Sequence, residues 1–166
     1  MRKKQVTVIG RYDATPEQYQ LGIGIGKLLA DLGIIAITGG RAGLMEAVAK
    51  GCTDAGGISV GILPGDHFED GNPYNTISIP TGIGYARNSM NVLAADVVIA
   101  VGGASGTLSE MAFAWSYKRT IIAFVGSGGW ADELAGKTID HRNDQPVIPV
   151  HSLDELRHIL IKELDL

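Results

Sequence analysis

Several features are scarce in this 166-residue sequence, and each scarcity excludes a class of protein. The chain has one cysteine, Cys52, which excludes an internal disulfide and favours a reducing compartment. No run approaches the roughly 18 apolar residues of a membrane-spanning helix, and no secretory pattern precedes the first apolar segment. We therefore expect a cytoplasmic protein with no membrane partner.

Clustered basic charge is also scarce. The formal net charge is −4, and Lys and Arg cluster only at Arg2-Lys3-Lys4. Proteins that bind nucleic acids concentrate Lys and Arg on one surface to neutralise phosphates, so we predict no nucleic-acid partner. The four histidines lack the spacing typical of metal ligands, and we predict no metal site among the side chains.

Glycine and short apolar runs are abundant. The 23 glycines mostly follow apolar runs, where a backbone turns or approaches a ligand closely. With 45% apolar and 19% charged residues, the composition is typical of a globular protein, and the length predicts a single domain over residues 1–166. Six apolar, β-branched runs predict strands, at residues 6–10, 34–38, 58–62, 96–101, 120–125 and 147–150.

Helical patterns separate these runs. The intervening segments predict helices at residues 16–32, 43–55, 85–95, 107–117 and 152–164, with one long irregular loop at 63–75. Continuous apolar strands that alternate with helices indicate a parallel sheet covered on both faces. We predict an α/β fold with a doubly wound, Rossmann-like parallel sheet, whose ligand lies beyond the carboxyl ends of the strands.

One glycine-rich segment is a false candidate. "GIGIGK" at 22–27 resembles a phosphate-binding loop, but Leu21 and Leu28 replace the glycine and the hydroxyl residue that the Walker pattern requires. We interpret these glycines as a means of close helix packing on the sheet.

The segment "TGGRAGLMEAVAKG" at 38–51 leaves a strand and opens a helix. Backbone amides there can converge on an anion at the helix amino terminus, and Arg41 can add a charge-assisted contact. The alternative is a tight turn with a solvated arginine. The candidate residues are Gly39, Gly40, Arg41 and Gly43, together with Gly10 at the end of the first strand.

The segment "VGGASGTLSEM" at 101–111 has the same design. Its glycines let the backbone approach a ligand, and its hydroxyls lie beside free helix amides. The alternative is a capping box, in which Thr107 caps the helix and Glu110 folds back onto the Thr107 amide. A carboxylate repels an anion, so Glu110 otherwise contacts a hydrogen-bond-donating part of the ligand. The candidates are Gly102, Gly103, Ser105, Gly106, Thr107 and Glu110.

The segment "PTGIGYARNSMN" at 80–91 is the third loop. Arg87 and Asn91 are four residues apart and share one helix face, so the planar guanidinium can point toward the strand ends. The alternative is a solvated surface arginine with two solvated asparagines. The candidates are Thr81, Gly82, Arg87, Asn88 and Asn91.

Together, the three loops resemble the Lonely Guy superfamily, whose members were long labelled lysine decarboxylases. "GGRAGLMEAVAKG", "GGISVGILPGD" and "GGASGTLSE" are similar to its glycine-triplet loop, third-strand segment and Pro-Gly-Gly-x-Gly-Thr-x-x-Glu signature. Enzymes of that family cleave the N-glycosidic bond of nucleoside 5'-monophosphates. The resemblance implies Arg87 and Glu110 as the catalytic pair if the protein is such a phosphoribohydrolase.

The departures from that pattern bring the chain closer to a smaller branch. Gly102 replaces the signature proline, Ala104 its second glycine, Ser109 an acidic residue, and Asn88 the lysine after the arginine. "TGGR" and "TGIGYARNSMN" are similar to the molybdenum cofactor carrier proteins. That resemblance implies a phosphorylated molybdopterin bound by the candidate residues, carried without chemistry, in a homo-oligomer. The alternatives are the phosphoribohydrolase and a non-catalytic nucleotide-binding protein.

The apolar composition of one predicted helix indicates a dimer or tetramer. Residues 109–118 carry Met111, Phe113, Ala114, Trp115 and Tyr117, which is more apolar surface than one sheet face needs. We predict that part of this helix packs against a second subunit.

Overall fold

The computed structural model describes residues 2–166, and within that range strands and helices alternate along the chain. Seven parallel strands form one sheet in the order β4-β3-β2-β1-β5-β6-β7. They are β1 (Gln5–Gly10), β2 (Ile35–Thr38), β3 (Ser59–Leu63), β4 (Ile77–Pro80), β5 (Val97–Val101), β6 (Thr120–Phe124) and β7 (Ile148–Val150). The predicted α/β class and parallel sheet are confirmed.

The helices cover both faces of the sheet. They are α1 (Pro16–Asp31), α2 (Leu44–Asp54), α3 (Asn88–Leu93), α4 (Ser105–Ser116), α5 (Gly129–Leu134) and α6 (Leu153–Leu164). Residues of α1, α2 and α6 pack in one apolar core with Val6, Val8 and Ala36. Residues of α3, α4 and α5 pack in a second core with Ile9, Val98 and Ala100. Strands β1, β5 and β6 thus send alternate side chains into opposite cores.

Two elements were not predicted. The edge strand β4 has only four residues and leaves Ile77 and Ile79 exposed, so it lacks the buried apolar run of the other strands. Helix α5 has six residues and begins after Gly128. Both edge strands contain a proline, Pro80 in β4 and Pro149 in β7.

The helix boundaries follow from local chemistry at several termini. Thr15 and Gln18 form a reciprocal capping box at the start of α1, and Ser152 caps α6 by accepting from the Glu155 amide. The predicted third helix begins instead as a 3₁₀ turn at Gly84–Arg87. The loop at 63–75 is irregular apart from a 3₁₀ turn at Phe68–Asp70.

The glycines of "GIGIGK" lie inside α1, as predicted, but they pack on other helices rather than on the sheet: Gly22 and Gly26 on α2, and Gly24 on Leu153 of α6. A side chain at Gly26 would collide with the Val48 carbonyl, and one at Gly22 with Ala47. These contacts explain why α1 and α2 approach each other so closely.

The residues of α4 that were assigned to a subunit contact are mostly buried within the chain. Met111, Ala114 and Trp115 belong to the second core, and the Trp115 indole donates to Asp140 over 2.9 Å. Tyr117 remains 44% exposed. Apolar surface that could meet a partner must therefore come largely from other elements. No helix within residues 2–166 is long and apolar enough to cross a bilayer.

The strand order places a switch point at the centre of the sheet. From β1 the chain moves outward through β2, β3 and β4, and then returns to the other side of β1 with β5. The connections after β1 and β5 therefore leave in opposite directions and open a crevice at the carboxyl ends of the strands.

Candidate functional site

A cleft of about 510 Å³ lies at this switch point. Its walls come from the segments that follow β1, β2 and β5 and from the 3₁₀ turn before α3. Nine of the predicted site residues line it: Gly10, Gly39, Arg41, Arg87, Asn88, Ser105, Gly106, Thr107 and Glu110. The structure thus brings the three predicted loops together at one site.

Arg87 lies at the end of the 3₁₀ turn and is only 9% exposed. Its guanidinium rests on Gly39, where any side chain would collide with it. The buried Nε has no hydrogen-bond partner among residues 2–166. Burial lowers the pKa of Arg87, the Glu110 charge raises it, and the Arg41 charge lowers it. A buried cation without a hydrogen-bonded counter-charge is costly, and an anionic ligand would relieve that cost.

Glu110 lies in the second turn of α4 and faces the cleft. The alternative interpretation as a capping box is wrong, because α4 begins two residues before Thr107 and its N-cap, Ala104, makes no side-chain bond. The Glu110 carboxylate instead accepts a 2.7 Å hydrogen bond from the Asn91 amide. Burial raises the pKa of Glu110 to about 7, against the opposing effects of Asn91 and Arg87.

The two asparagines of α3 have different surroundings. Asn88 lines the cleft and donates to the Ser109 hydroxyl over 3.0 Å. Asn91 is fully buried behind Glu110 and outside the cleft lining. Its main-chain carbonyl accepts from the Thr7 hydroxyl over 2.6 Å. Asn91 is therefore placed to position Glu110 rather than to touch a ligand.

The amino terminus of α4 presents free amides to the cleft. The first three amides of a helix lack an intrahelical acceptor, and Leu108 is the first here to bond back, to Ala104. Ser105, Gly106 and Thr107 all line the cleft. Their amides and the partial positive charge of the helix terminus suit an anion.

Gly102 and Gly103 build the turn before α4 and do not line the cleft. Gly103 has φ +108°, and a side chain there would collide with Thr107. The Gly102 amide donates to the Ser127 hydroxyl over 2.8 Å. These glycines therefore shape the loop, and the residues that follow them line the cleft.

The loop after β2 contributes Gly39 and Arg41 to the cleft, whereas Gly40 and Gly43 do not line it. The Gly40 carbonyl accepts from the amides of Asn72 and Asn75. The first amide of α2, at Leu44, is already bonded to the Arg11 carbonyl. At this helix the amino terminus is thus partly occupied, and Arg41 is the group left to meet an anion.

Thr81 and Gly82 lie outside the cleft lining. The Thr81 hydroxyl donates to the Leu63 carbonyl over 2.7 Å, and its amide bonds to the same carbonyl. These contacts close the turn after β4. Thr81 and Gly82 were predicted to bind a ligand because of the composition of their loop. In the structure these two residues form the turn instead.

Most of the segment after β1 lines the cleft although it was not among the predicted site residues. Arg11, Tyr12 and Asp13 line the cleft together with Tyr85 from the 3₁₀ turn. The Arg41 guanidinium lies 5.1 Å from the centre of the Tyr12 ring, a cation–π geometry. Arg11 pairs with Asp13 over 2.6 Å. The position of "GRYD" directly after a central parallel strand could have indicated these residues.

Comparison with known proteins gives three findings. An uncharacterized protein of Archaeoglobus fulgidus is 41% identical over 114 residues, which are 69% of this chain and 75% of the relative. The molybdenum cofactor binding protein of the phototrophic bacterium Rippkaea orientalis is 32% identical, with a TM-score of 0.83 over 100% of this chain and 99% of that one. The molybdenum cofactor carrier protein of Chlamydomonas reinhardtii is 30% identical, with a TM-score of 0.87 over 99% of this chain and 100% of that one.

These similarities confirm the resemblance to molybdenum cofactor carriers that the loop motifs indicated. A family model described as the SLOG cluster4 family matches residues 3–157, which is nearly the whole chain. The chain belongs to the SLOG cluster4 family.

Proposed function

We propose that this protein binds molybdenum cofactor in the cleft at the switch point and carries it without chemical change. The observation on which the proposal rests is Arg87, a buried guanidinium that faces the cleft with its Nε unpartnered. Arg41 adds a second cation at the same cleft. Two such charges favour a ligand with a phosphate, a metal-oxo group or a thiolate.

The dimensions and lining of the cleft fit a ligand of this class. A volume of about 510 Å³ lies within the range of small-molecule sites. Val8, Ile9 and Met45 give it apolar surface, which suits a flat heterocycle. Arg87 and Arg41 would pair with negative groups, and the first amides of α4 would donate to phosphate or oxo oxygens. The proteins of R. orientalis and C. reinhardtii named above bind or carry the same cofactor.

The test is the content of the purified protein. We expect wild-type protein prepared under reducing, oxygen-poor conditions to retain molybdenum, measured by mass spectrometry, and pterin, measured by fluorescence after oxidation. The Arg87→Ala variant should lose both, because the cleft loses its buried cation. Arg157→Ala, in α6, is the matched control and should retain them, because Arg157 is a half-buried arginine that does not line the cleft and pairs with Asp31. Molybdenum-free wild-type protein, or equal content in all three, contradicts the proposal.

A second candidate is a phosphoribohydrolase that acts on nucleoside 5'-monophosphates. One observation favours it: Glu110 has a pKa of about 7 and shares the cleft with Arg87. A carboxyl group with that pKa can give or take a proton near neutral pH. Release of free adenine from adenosine monophosphate by the wild type, abolished in Glu110→Gln, supports this candidate against the carrier.

The remaining partner assignments are proposals of the same kind. We expect a homo-oligomer, and exposed apolar side chains on β4 and α3 could take part in it: Ile77, Ile79, Met90 and Leu93. The absence of nucleic-acid and membrane partners and the cytoplasmic location stay predictions from composition.

A further inference from the structure

The Glu110 carboxylate lines the cleft and is only partly hydrogen-bonded within the protein. Its Oε1 accepts the 2.7 Å bond from Asn91, and within residues 2–166 no other group donates to this side chain. Asn91 is fully buried, and its main-chain carbonyl accepts from the Thr7 hydroxyl, so the residue that holds the Glu110 carboxylate is itself anchored in the fold. Oε2, together with the second lone pair of Oε1, is left to accept hydrogen bonds from a ligand.

A carboxylate is an unsuitable contact for phosphate, since like charges repel. Besides Arg87, the cleft has two further groups that suit an anion, Arg41 and the first amides of α4, so an anion can bind without contacting Glu110. Glu110 therefore selects a part of the ligand that carries N–H donors. The carbon skeleton of a sugar offers hydroxyls, but a nitrogen heterocycle offers donors fixed in a plane, which suits a carboxylate held rigidly by Asn91.

Arg87 lies beside Glu110 without pairing with it. The two charges shift each other's pKa, yet none of the ion pairs within residues 2–166 joins them. The cleft thus holds the hydrogen-bond donors of Arg87 and the acceptors of Glu110 close together, and the two side chains do not pair with each other. A planar edge that offers one carbonyl oxygen and two N–H groups complements both.

From this arrangement we infer that Glu110 and Arg87 together recognise a 2-amino-4-oxopyrimidine edge, the edge that pterins share with guanine. The ring N–H and the amino group donate to the Glu110 carboxylate, and the adjacent carbonyl accepts from the Arg87 guanidinium. The inference rests on the proposed function, because the pterin of molybdenum cofactor carries this edge. It also assigns Asn91 as a positioning residue, which acts through Glu110.

Three nucleotides test this assignment, because they share ribose and phosphate and differ only at the base edge. Guanosine monophosphate has the full edge, inosine monophosphate lacks the amino group, and adenosine monophosphate reverses the donor and acceptor pattern. In titration calorimetry at about pH 9, where Glu110 is ionised, we expect wild-type protein to bind guanosine monophosphate at least about tenfold more tightly than adenosine monophosphate, with inosine monophosphate between them.

The variant Glu110→Gln keeps the size of the side chain and replaces one acceptor with a donor. We expect it to bind guanosine monophosphate at least about tenfold more weakly and adenosine monophosphate within about twofold of wild type. Glu133→Gln, an exposed substitution in α5, is the matched control and should bind like wild type. Asn91→Leu should weaken the guanine preference without abolishing adenosine monophosphate binding.

Equal affinity of the wild type for the guanine and adenine nucleotides overturns the inference. So does a Glu110→Gln variant that loses both nucleotides equally, since Glu110 would then act on the shared ribose or phosphate. No detectable binding of guanosine monophosphate at about 1 mM also overturns it. The outcomes for the two proposals are distinct. Wild-type protein that lacks molybdenum and pterin contradicts the proposed function. Wild-type protein that retains both but does not prefer guanosine monophosphate contradicts only this inference.

Discussion

Ionisation of Glu110 should reduce the stability of the fold. Burial raises its pKa from an ordinary 4.5 to about 7, so the folded protein holds this proton more tightly than the unfolded chain does. Between these two values the folded state binds more protons, and stability therefore falls as pH rises. The shift corresponds to a loss of about 3 kcal/mol once the pH is above 7, and below 4.5 the loss is absent.

The variant Glu110→Gln isolates this effect. Its amide oxygen can still accept the Asn91 hydrogen bond, but the side chain cannot ionise. At about pH 5 we expect the variant and the wild type to unfold with similar free energies. At about pH 9 the variant should be the more stable by about 3 kcal/mol, because only the wild type carries a buried carboxylate.

Urea denaturation at both pH values measures the difference, with linear extrapolation to water. Other titrating groups contribute equally to both proteins, so the comparison between them removes those contributions. The exposed Glu133→Gln variant should follow the wild type at both pH values. If Glu110→Gln and the wild type lose stability in parallel between the two values, Glu110 is not the buried acid that the structure describes.

Four further outcomes are expected. Arg87→Ala should weaken binding of a phosphorylated ligand by about 2 kcal/mol in calorimetry, and unchanged affinity would show that Arg87 does not contact the ligand. Gly106→Val should preserve folding, because this helical position is open toward the cleft, but it should lower ligand affinity. Full affinity of this variant would show that the start of α4 does not contact the ligand. Wild-type protein should release little or no adenine from adenosine monophosphate in a chromatographic assay, and rapid release lost in Glu110→Gln would favour the hydrolase. Light scattering should detect at least a dimer, and a 17.5 kDa particle would exclude one.

The fold could be predicted where the strands are central and buried. All five residues of β5 are buried, and such a run indicates a strand between two helical layers. Strand β4 is an edge strand with two exposed isoleucines, and its four residues give no comparable signal. Helix α5 is stabilised through bonds to the loop before α4, where Ala131 donates to the Gly102 carbonyl. Tertiary contacts of this kind leave no periodicity in the local sequence.

The loops that form the candidate site could be predicted from the sequence, but the hydrogen bonds between their side chains could not. Parallel topology brings the loops to one edge, and the motifs gave nine of the residues that line the cleft. The interval between Thr107 and Glu110 fits a capping box, yet the helix begins at Ser105 and Glu110 bonds to Asn91 on another helix. Nineteen positions separate these partners in the chain. A local pattern therefore could not decide between the cap and the buried pair.

The prolines of the two outer strands have a consequence for association. An outer strand normally offers free N–H and C=O groups to which a strand of another molecule can add. Pro80 ends β4 and Pro149 occupies the middle of the three-residue β7, so each outer strand lacks one donor for such an addition. We therefore expect copies of this protein to associate through side chains rather than by joining their sheets into a continuous ribbon.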